Sequence, residues 1–252
     1  MEQLLPADIA AQVAIFLVAA SFVTSAISAT FGMGGGLALI ALIGFFLPVS
    51  ALIPVHGMVQ LGSNAGRAWT LRDAIAWRPL LPFFAFGAVG AFIAALLVIE
   101  LPDAILRVSL GIFVIIVLWM KIPAVAAKSA WLMGFGGFVT NALTMFLGAT
   151  GPLVAALFSK QFDRKETLVA SSAVGMIFQH LVKVIAFGTL GFAFTQWLPL
   201  IIAMVASGYL GTLAGVYFLK GLPEKRFRRW FKIGMTLLAL DLIRRGVFAL
   251  IP

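Results

Sequence analysis

"SFVTSAISATFGMGGGLALIAL", Ser21 to Leu42, is an apolar, helix-forming segment that is interrupted by Gly32, Gly34, Gly35 and Gly36 and then resumes. "GFVTNALTMFLGATGPLVAALF", Gly137 to Phe158, does the same. Superposed without a gap, Phe22, Val23 and Thr24 fall on Phe138, Val139 and Thr140, and Gly32 and Gly35 fall on Gly148 and Gly151. The break is duplicated, and its meaning decides the fold.

The surroundings of both stretches are those of a membrane protein. Hydrophobic residues make up 62% of the chain, charged residues 11%, and the mean hydropathy is +1.11, against roughly 25% charged residues in soluble domains. Apolar runs of spanning length recur near 9–30, 51–67, 79–99, 106–120, 131–147, 167–187, 198–219 and 233–250. The opening "MEQLLPADIA" carries acids and no basic region, which argues against a cleaved signal peptide. Cysteine is absent, which excludes disulfides and thiolate metal sites. A net charge of +9 invites nucleic acid as a partner, but the basic residues sit in short loops and helix ends, where the positive-inside rule expects them. The bilayer is the expected partner, and nucleic acid is not.

The duplication extends beyond the break. In the same register Ser63, Asn64 and Arg67 oppose Gln179, His180 and Lys183; after a five-residue insertion, Gly87 and Gly90 match Gly208 and Gly211. "LPDAILR" (101–107) then matches "LPEKRFR" (222–228). Four correspondences in one order predict two homologous halves, 1–125 and 126–252. From Ile9 to Leu47 about 39 residues would make a helix of roughly 58 Å, too long for one crossing of a core of about 30 Å. Each glycine break is therefore expected at the tip of a hairpin of two short helices that enters and leaves on one side. Three ordinary spans follow, so each half crosses an odd number of times and the repeats are inverted. The expected fold is all-α, two inverted repeats, each a re-entrant-like broken-helix hairpin followed by three transmembrane helices.

Charge segregation gives an independent reason for this topology. One side receives Arg72, Arg78, Lys121, Lys128, Lys160, Arg164, Lys165 and the cluster from Lys220 to Lys232; the other receives Glu2, Asp8, the uncharged loop near Gly191, Glu100 and Asp103. Arg107, Arg244 and Arg245 are the exceptions. Both termini are expected to be periplasmic.

A broken helix at membrane depth leaves backbone groups that lipid cannot satisfy, so it must face protein or a wet cavity. The second half-helices start near Leu37 and Pro152 and point N-termini, with free N–H groups and partial positive charge, into the membrane interior. Proline in a first turn and glycines just before it suit close approach of an anion. Gly34, Gly35 and Gly36 at one tip, and Thr150 and Gly151 at the other, are candidate substrate contacts. Thr24 and Ser28 lie one turn apart on the preceding helix, as do Thr140 and Thr144, with Ser25 and Asn141 adjacent; their side chains offer donors without added charge. The competing explanation is glycine turns made for packing, with hydroxyls bonded to their own helix.

The next span carries a polar stripe. His56, Gln60, Asn64 and Arg67, spaced four, four and three, line one helix face; Ser172, Gln179, His180 and Lys183 nearly repeat it, with Met176 interrupting. Intramembrane ionisable residues usually face a bundle interior or water. Arg67 and Lys183 each lie about seven residues, roughly 10 Å, from the middle of their helices on opposite sides. They are expected to line the two mouths of a pathway, the alternative being snorkelling to the interface. "EKRFRRWFK" (224–232) reads as an interfacial anchor. Gly211 and Gly215 form a GxxxG that serves either bundle packing or a homodimer. Asp241 is expected to pair with Arg244 or Arg245.

"FGMGGG" after an apolar Ser/Thr-bearing helix, "FLGATGPL" in the second half, and Leu-Pro-acid followed by an arginine before each half's last helix resemble the sulfite exporter TauE/SafE family. The resemblance implies a permease for sulfite, sulfonates and related organosulfur anions in the bacterial inner membrane. Ala149, Thr150 and Pro152 depart from the glycine-rich form of that motif.

Export of a monovalent anion is aided by an inside-negative potential, by about 2.3 kcal/mol per charge per 100 mV, and can run without a coupling ion. The embedded segments lack the carboxylate relay expected of proton pumping, for which His56 or His180 could substitute. An intramembrane enzyme is not expected: "VASGYLG" (205–211) lacks the leading glycine of a GxSxG elbow, and no aspartate pair or metal cluster replaces it. No cofactor is expected. A membrane scaffold without transport activity is the competing function.

Overall fold

The computed structural model describes residues 9–31, 34–98, 102–120, 129–159, 161–162, 164–218 and 224–250. Ten α-helices occupy the described residues: α1 Ala11–Phe31, α2 Gly35–Phe46, α3 Val49–Thr70, α4 Trp77–Val98, α5 Asp103–Trp119, α6 Ala130–Leu147, α7 Gly151–Phe158, α8 Lys165–Thr189, α9 Leu198–Phe218 and α10 Glu224–Phe248. The fold is all-helical, and both expected interruptions are present. Gly34 (φ 98°) precedes α2, and Gly148 (φ 71°) ends α6. Both backbones occupy the region that glycine enters at no steric cost.

Five helical stretches are long and apolar enough to cross a membrane, within α1, α4, α6, α8 and α9 with its preceding turn. Three runs expected to span miss that standard for identifiable reasons. The polar stripe lowers the hydropathy of α3, α5 has 17 residues, and in α10 the charged segment beginning at Glu224 is followed by Asp241, Arg244 and Arg245 inside its apolar run. At about 1.5 Å per residue α5 is roughly 25 Å long.

The most extensive helix contacts are α4 with α6, α1 with α9, α5 with α10 and α3 with α8. Each pairs a helix before residue 125 with one after it. Lipid supplies no hydrophobic drive between helices, so close backbone approach at small residues replaces it. A Cβ on Gly90 would meet the Phe138 carbonyl oxygen, and one on Gly211 would meet that of Phe22. Gly87 faces the Asn141 amide and Gly208 the Ser25 hydroxyl. These are the same correspondences, 87 with 208, 90 with 211, 22 with 138 and 25 with 141, that align the two halves in sequence. Gly215 packs on the Ala26 carbonyl, so the GxxxG at 211–215 serves packing within the chain.

The arginines that break the charge segregation have structural work. Arg107 donates to the carbonyls of Gly44 (2.9 Å) and Leu47 (3.4 Å), and Arg245 to that of Phe45 (3.1 Å), at the C-terminal end of α2. Cations at a helix C-terminus bond orphan carbonyls and meet the negative end of the helix dipole. Asp241 pairs with both Arg244 and Arg245, at 2.7 and 2.6 Å. Lys232 lies over the Trp119 ring at 5.2 Å. Glu2, Asp8, Gly32, Glu100, Lys121, Lys128, Lys160 and Lys220, used in the sequence reading, lie outside the described residues, as do the side chains of Lys165, Lys225, Arg226, Arg228 and Trp230.

Candidate functional site

The two broken-helix tips meet at one cleft. Its walls are Gly34, Gly36 and Leu37 of the first tip, Ala149, Gly151 and Pro152 of the second, and Ser28 of α1. The rest of the lining is His56, Gln60, Asn64 and Arg67 of α3 and Met176 and His180 of α8. The cleft is partly open to the outside of the bundle.

The tips offer unequal numbers of donors. In α2 the first intrahelical acceptor is the Gly34 carbonyl, bonded by the Ala38 N–H at 2.9 Å. The N–H groups of Gly35, Gly36 and Leu37 therefore have no acceptor within the helix, and no side chain caps them. In α7 the N–H of Leu153 already bonds to Thr150 (2.9 Å), and Pro152 has no N–H, leaving Gly151. The departure of the second tip from the glycine-rich pattern thus has a physical consequence: the first tip carries most of the backbone donors.

The polar stripe of α3 faces this space as its spacing predicts. Arg67 Nη1 donates to Asn64 Oδ1 (3.2 Å), and Asn64 Nδ2 to the Gln60 carbonyl (2.8 Å), so the guanidinium is held along its own helix. His56 Nε2 donates to the Gly36 carbonyl at 3.0 Å, tying α3 to the first tip. The rings of His56 and His180 meet edge to face with centroids 5.8 Å apart.

Other expected site residues lie behind these walls. Thr24 donates to the Ala20 carbonyl (2.8 Å) and Thr140 to that of Gly136 (2.7 Å), so each hydroxyl proton is engaged one turn back in its own helix. Gly35 faces the Thr24 carbonyl and the Ser28 hydroxyl, so its lack of a side chain serves α1–α2 contact. Thr150 bonds to the Thr140 carbonyl (3.2 Å) and Gln179 Oε1 (3.3 Å). Asn141 and Thr144 are fully buried in α6. Lys183 differs most from expectation. It lines no mouth: it is 0% exposed, and its Nζ donates to the Gly148 carbonyl at 2.6 Å. There it satisfies the C-terminal end of α6.

Among the described residues, the buried side-chain atoms without a hydrogen-bond partner are His56 Nδ1, Asn141 Oδ1, Thr144 Oγ1, Ser172 Oγ, Gln179 Nε2 and His180 Nδ1. All belong to α3, α6 and α8. Unpaired buried polar groups are costly, and their concentration around the breaks marks a region shaped for something other than stability alone. The site also includes Leu37, Ala149, Pro152 and Met176, which the sequence reading did not select as site residues. Met176 is the counterpart of Gln60 in the aligned halves and was detectable from that register.

The sequence profile of the family described as Sulfite exporter TauE/SafE matches residues 17–242, which contain both tips and all of α3 and α8. The chain belongs to the sulfite exporter TauE/SafE family. Members are membrane permeases for sulfite and related sulfur anions, not enzymes. No curated protein and no solved structure matches the chain. Family membership and the apolar helices together make it a multi-pass membrane protein that handles a small anion in contact with lipid.

Proposed function

We propose that this family member exports sulfite or sulfonates from the cytoplasm across a bacterial inner membrane, with the anion bound between the two broken-helix tips. The observation that carries the reading is that both tips, although 115 residues apart in the chain (Gly36 to Gly151), line one cleft together with the Arg67 side chain. Backbone N–H groups at the start of α2 and the guanidinium supply donors and positive charge, and the described lining residues include no carboxylate to repel an anion. Gln60, Asn64 and Ser28 add neutral donors that suit a sulfo group's three oxygens. The two halves are read as inverted repeats, each crossing an odd number of times, with both termini periplasmic. The paired contacts of Gly90 with Phe138 and Gly211 with Phe22 support the repeat relation.

The test is thermal stabilisation of the purified chain by sulfite, sulfoacetate, sulfate and chloride. Sulfite or sulfoacetate is expected to raise the melting temperature in a saturable way, and chloride is not. Arg67→Gln removes a charge-assisted contact of about 1.5–3 kcal/mol, so sulfite affinity falls about 10- to 100-fold. Equal stabilisation of both proteins contradicts the site.

A further inference from the structure

We propose that the His56–His180 pair takes up a proton when the anion binds, so that anion and proton are carried together. The inference rests on the reading of the cleft as an anion site. A carbonyl only accepts, so the contact with Gly36 fixes the His56 hydrogen on Nε2. Nδ1 is left as the ring atom that gains or lacks a proton; unprotonated it meets no donor, and the Gly148 carbonyl is the acceptor a proton there would face. His180 Nδ1 is also buried without a partner. Both imidazoles line the cleft, one from each half of the chain.

The charges around the pair decide when it can hold that proton. Lys183, one turn beyond His180, packs its stem against Gly57, the residue after His56, and its Nζ is committed to the Gly148 carbonyl. Arg67 lies about three turns along α3 from His56. The tips, residues 34–37 and 148–152, hold no titratable group. Among the described residues of the other packed elements, α4 offers Arg78 at its exposed start, and the turn at 72–74 offers exposed Arg72 and Asp73. Asp103 and Arg107 of α5 are paired with each other, and Tyr209 of α9 lies against Gly66. No described carboxylate faces the imidazoles. With the cleft empty, an imidazolium beside Lys183 is an unscreened like-charge contact in a space of low dielectric. An arriving anion supplies the missing countercharge and makes the protonated ring favourable. A proton from water then adds to the Nδ1 lone pair of one imidazole, and it returns to water when the anion leaves. A monoanion carried in this way crosses with no net charge, so its flux follows the anion and pH gradients rather than the membrane potential.

The experiment uses the full chain in detergent at near-neutral pH with little buffer, titrated with methanesulfonate and sulfoacetate. The acidic groups of these probes stay ionised across that range, so any proton taken up goes to the protein. An indicator dye should show about one proton taken up per anion bound, and anion affinity should tighten about tenfold for each pH unit lowered. In the double variant His56→Gln with His180→Gln, uptake falls to near zero and affinity becomes independent of pH. Should that variant not fold, the single variants His56→Gln and His180→Gln decide: uptake unchanged in both moves the proton to another group, Lys183 among the described residues, and overturns the proposal. Anion binding by wild type without proton uptake overturns the coupling and leaves the anion site standing. Absence of binding by either probe overturns both.

Discussion

Thr24 and Thr140 occupy equivalent places in the two breaks, and their hydroxyls bond to carbonyls one turn back, at Ala20 and Gly136. A hydroxyl has one proton, so neither donates to an anion while that bond persists. Replacing either by valine, close in volume, is expected to leave sulfite affinity within about 0.5 kcal/mol of wild type and to change stability by about 1 kcal/mol or less. Titration of the two variants beside Arg67→Gln checks this, because a loss comparable to that of the arginine variant would return the threonines to the site. The same distinction separates Gly35 from Gly36. Gly35 is pressed on the Thr24 carbonyl, whereas a Cβ at Gly36 would meet only the flexible end of Gln60, at 2.9 Å. Substitution at Gly35 therefore reports on packing, and substitution at Gly36 reports on the cleft.

At the scale of elements, the proposed topology rests on the hairpins. If α1–α2 and α6–α7 each enter and leave on one side, the start of α5 and the loop after α8 share the periplasmic face. The loop before α8 and the start of α10 are then cytoplasmic. That topology puts Arg72, Arg78, Arg164 and Arg229 on the second face, where the positive-inside rule expects them, and the contrary Arg107 and Arg245 are engaged by the end of α2. The chain contains no cysteine. Single cysteines at Pro102, Ala193, Arg164 and Arg229 can thus be read with an impermeant thiol reagent on intact cells. Pro102→Cys and Ala193→Cys should label from outside, and the other two only after permeabilisation. Labelling of Arg164→Cys from outside contradicts the hairpin parity. Ala193 is chosen over Gly191 because the latter has φ 92°, where a side chain is strained.

At the scale of the molecule, the sequence was most informative where a local rule met a duplication. The two glycine breaks, the spacing of His56, Gln60, Asn64 and Arg67, and the register of Gly87 and Gly90 with Gly208 and Gly211 were all legible, because periodicity and repetition are properties of the chain itself. The fate of each polar group was not. Whether Thr24 turns to the cleft or to its own helix depends on the rotamer, and whether Lys183 lines a mouth or caps α6 depends on where another helix ends. Those are tertiary facts. The most direct test of the central claim is sulfite flux in proteoliposomes made with the purified chain, compared with protein-free vesicles and with Gly36→Val, whose side chain fills the space in front of the α2 N-terminus. The account predicts saturable, protein-dependent sulfite flux that sulfoacetate competes for, slowed at least about tenfold, or about 1.4 kcal/mol, in a Gly36→Val protein that remains folded. Flux no greater than in protein-free vesicles, or equal in the two proteins, would contradict it.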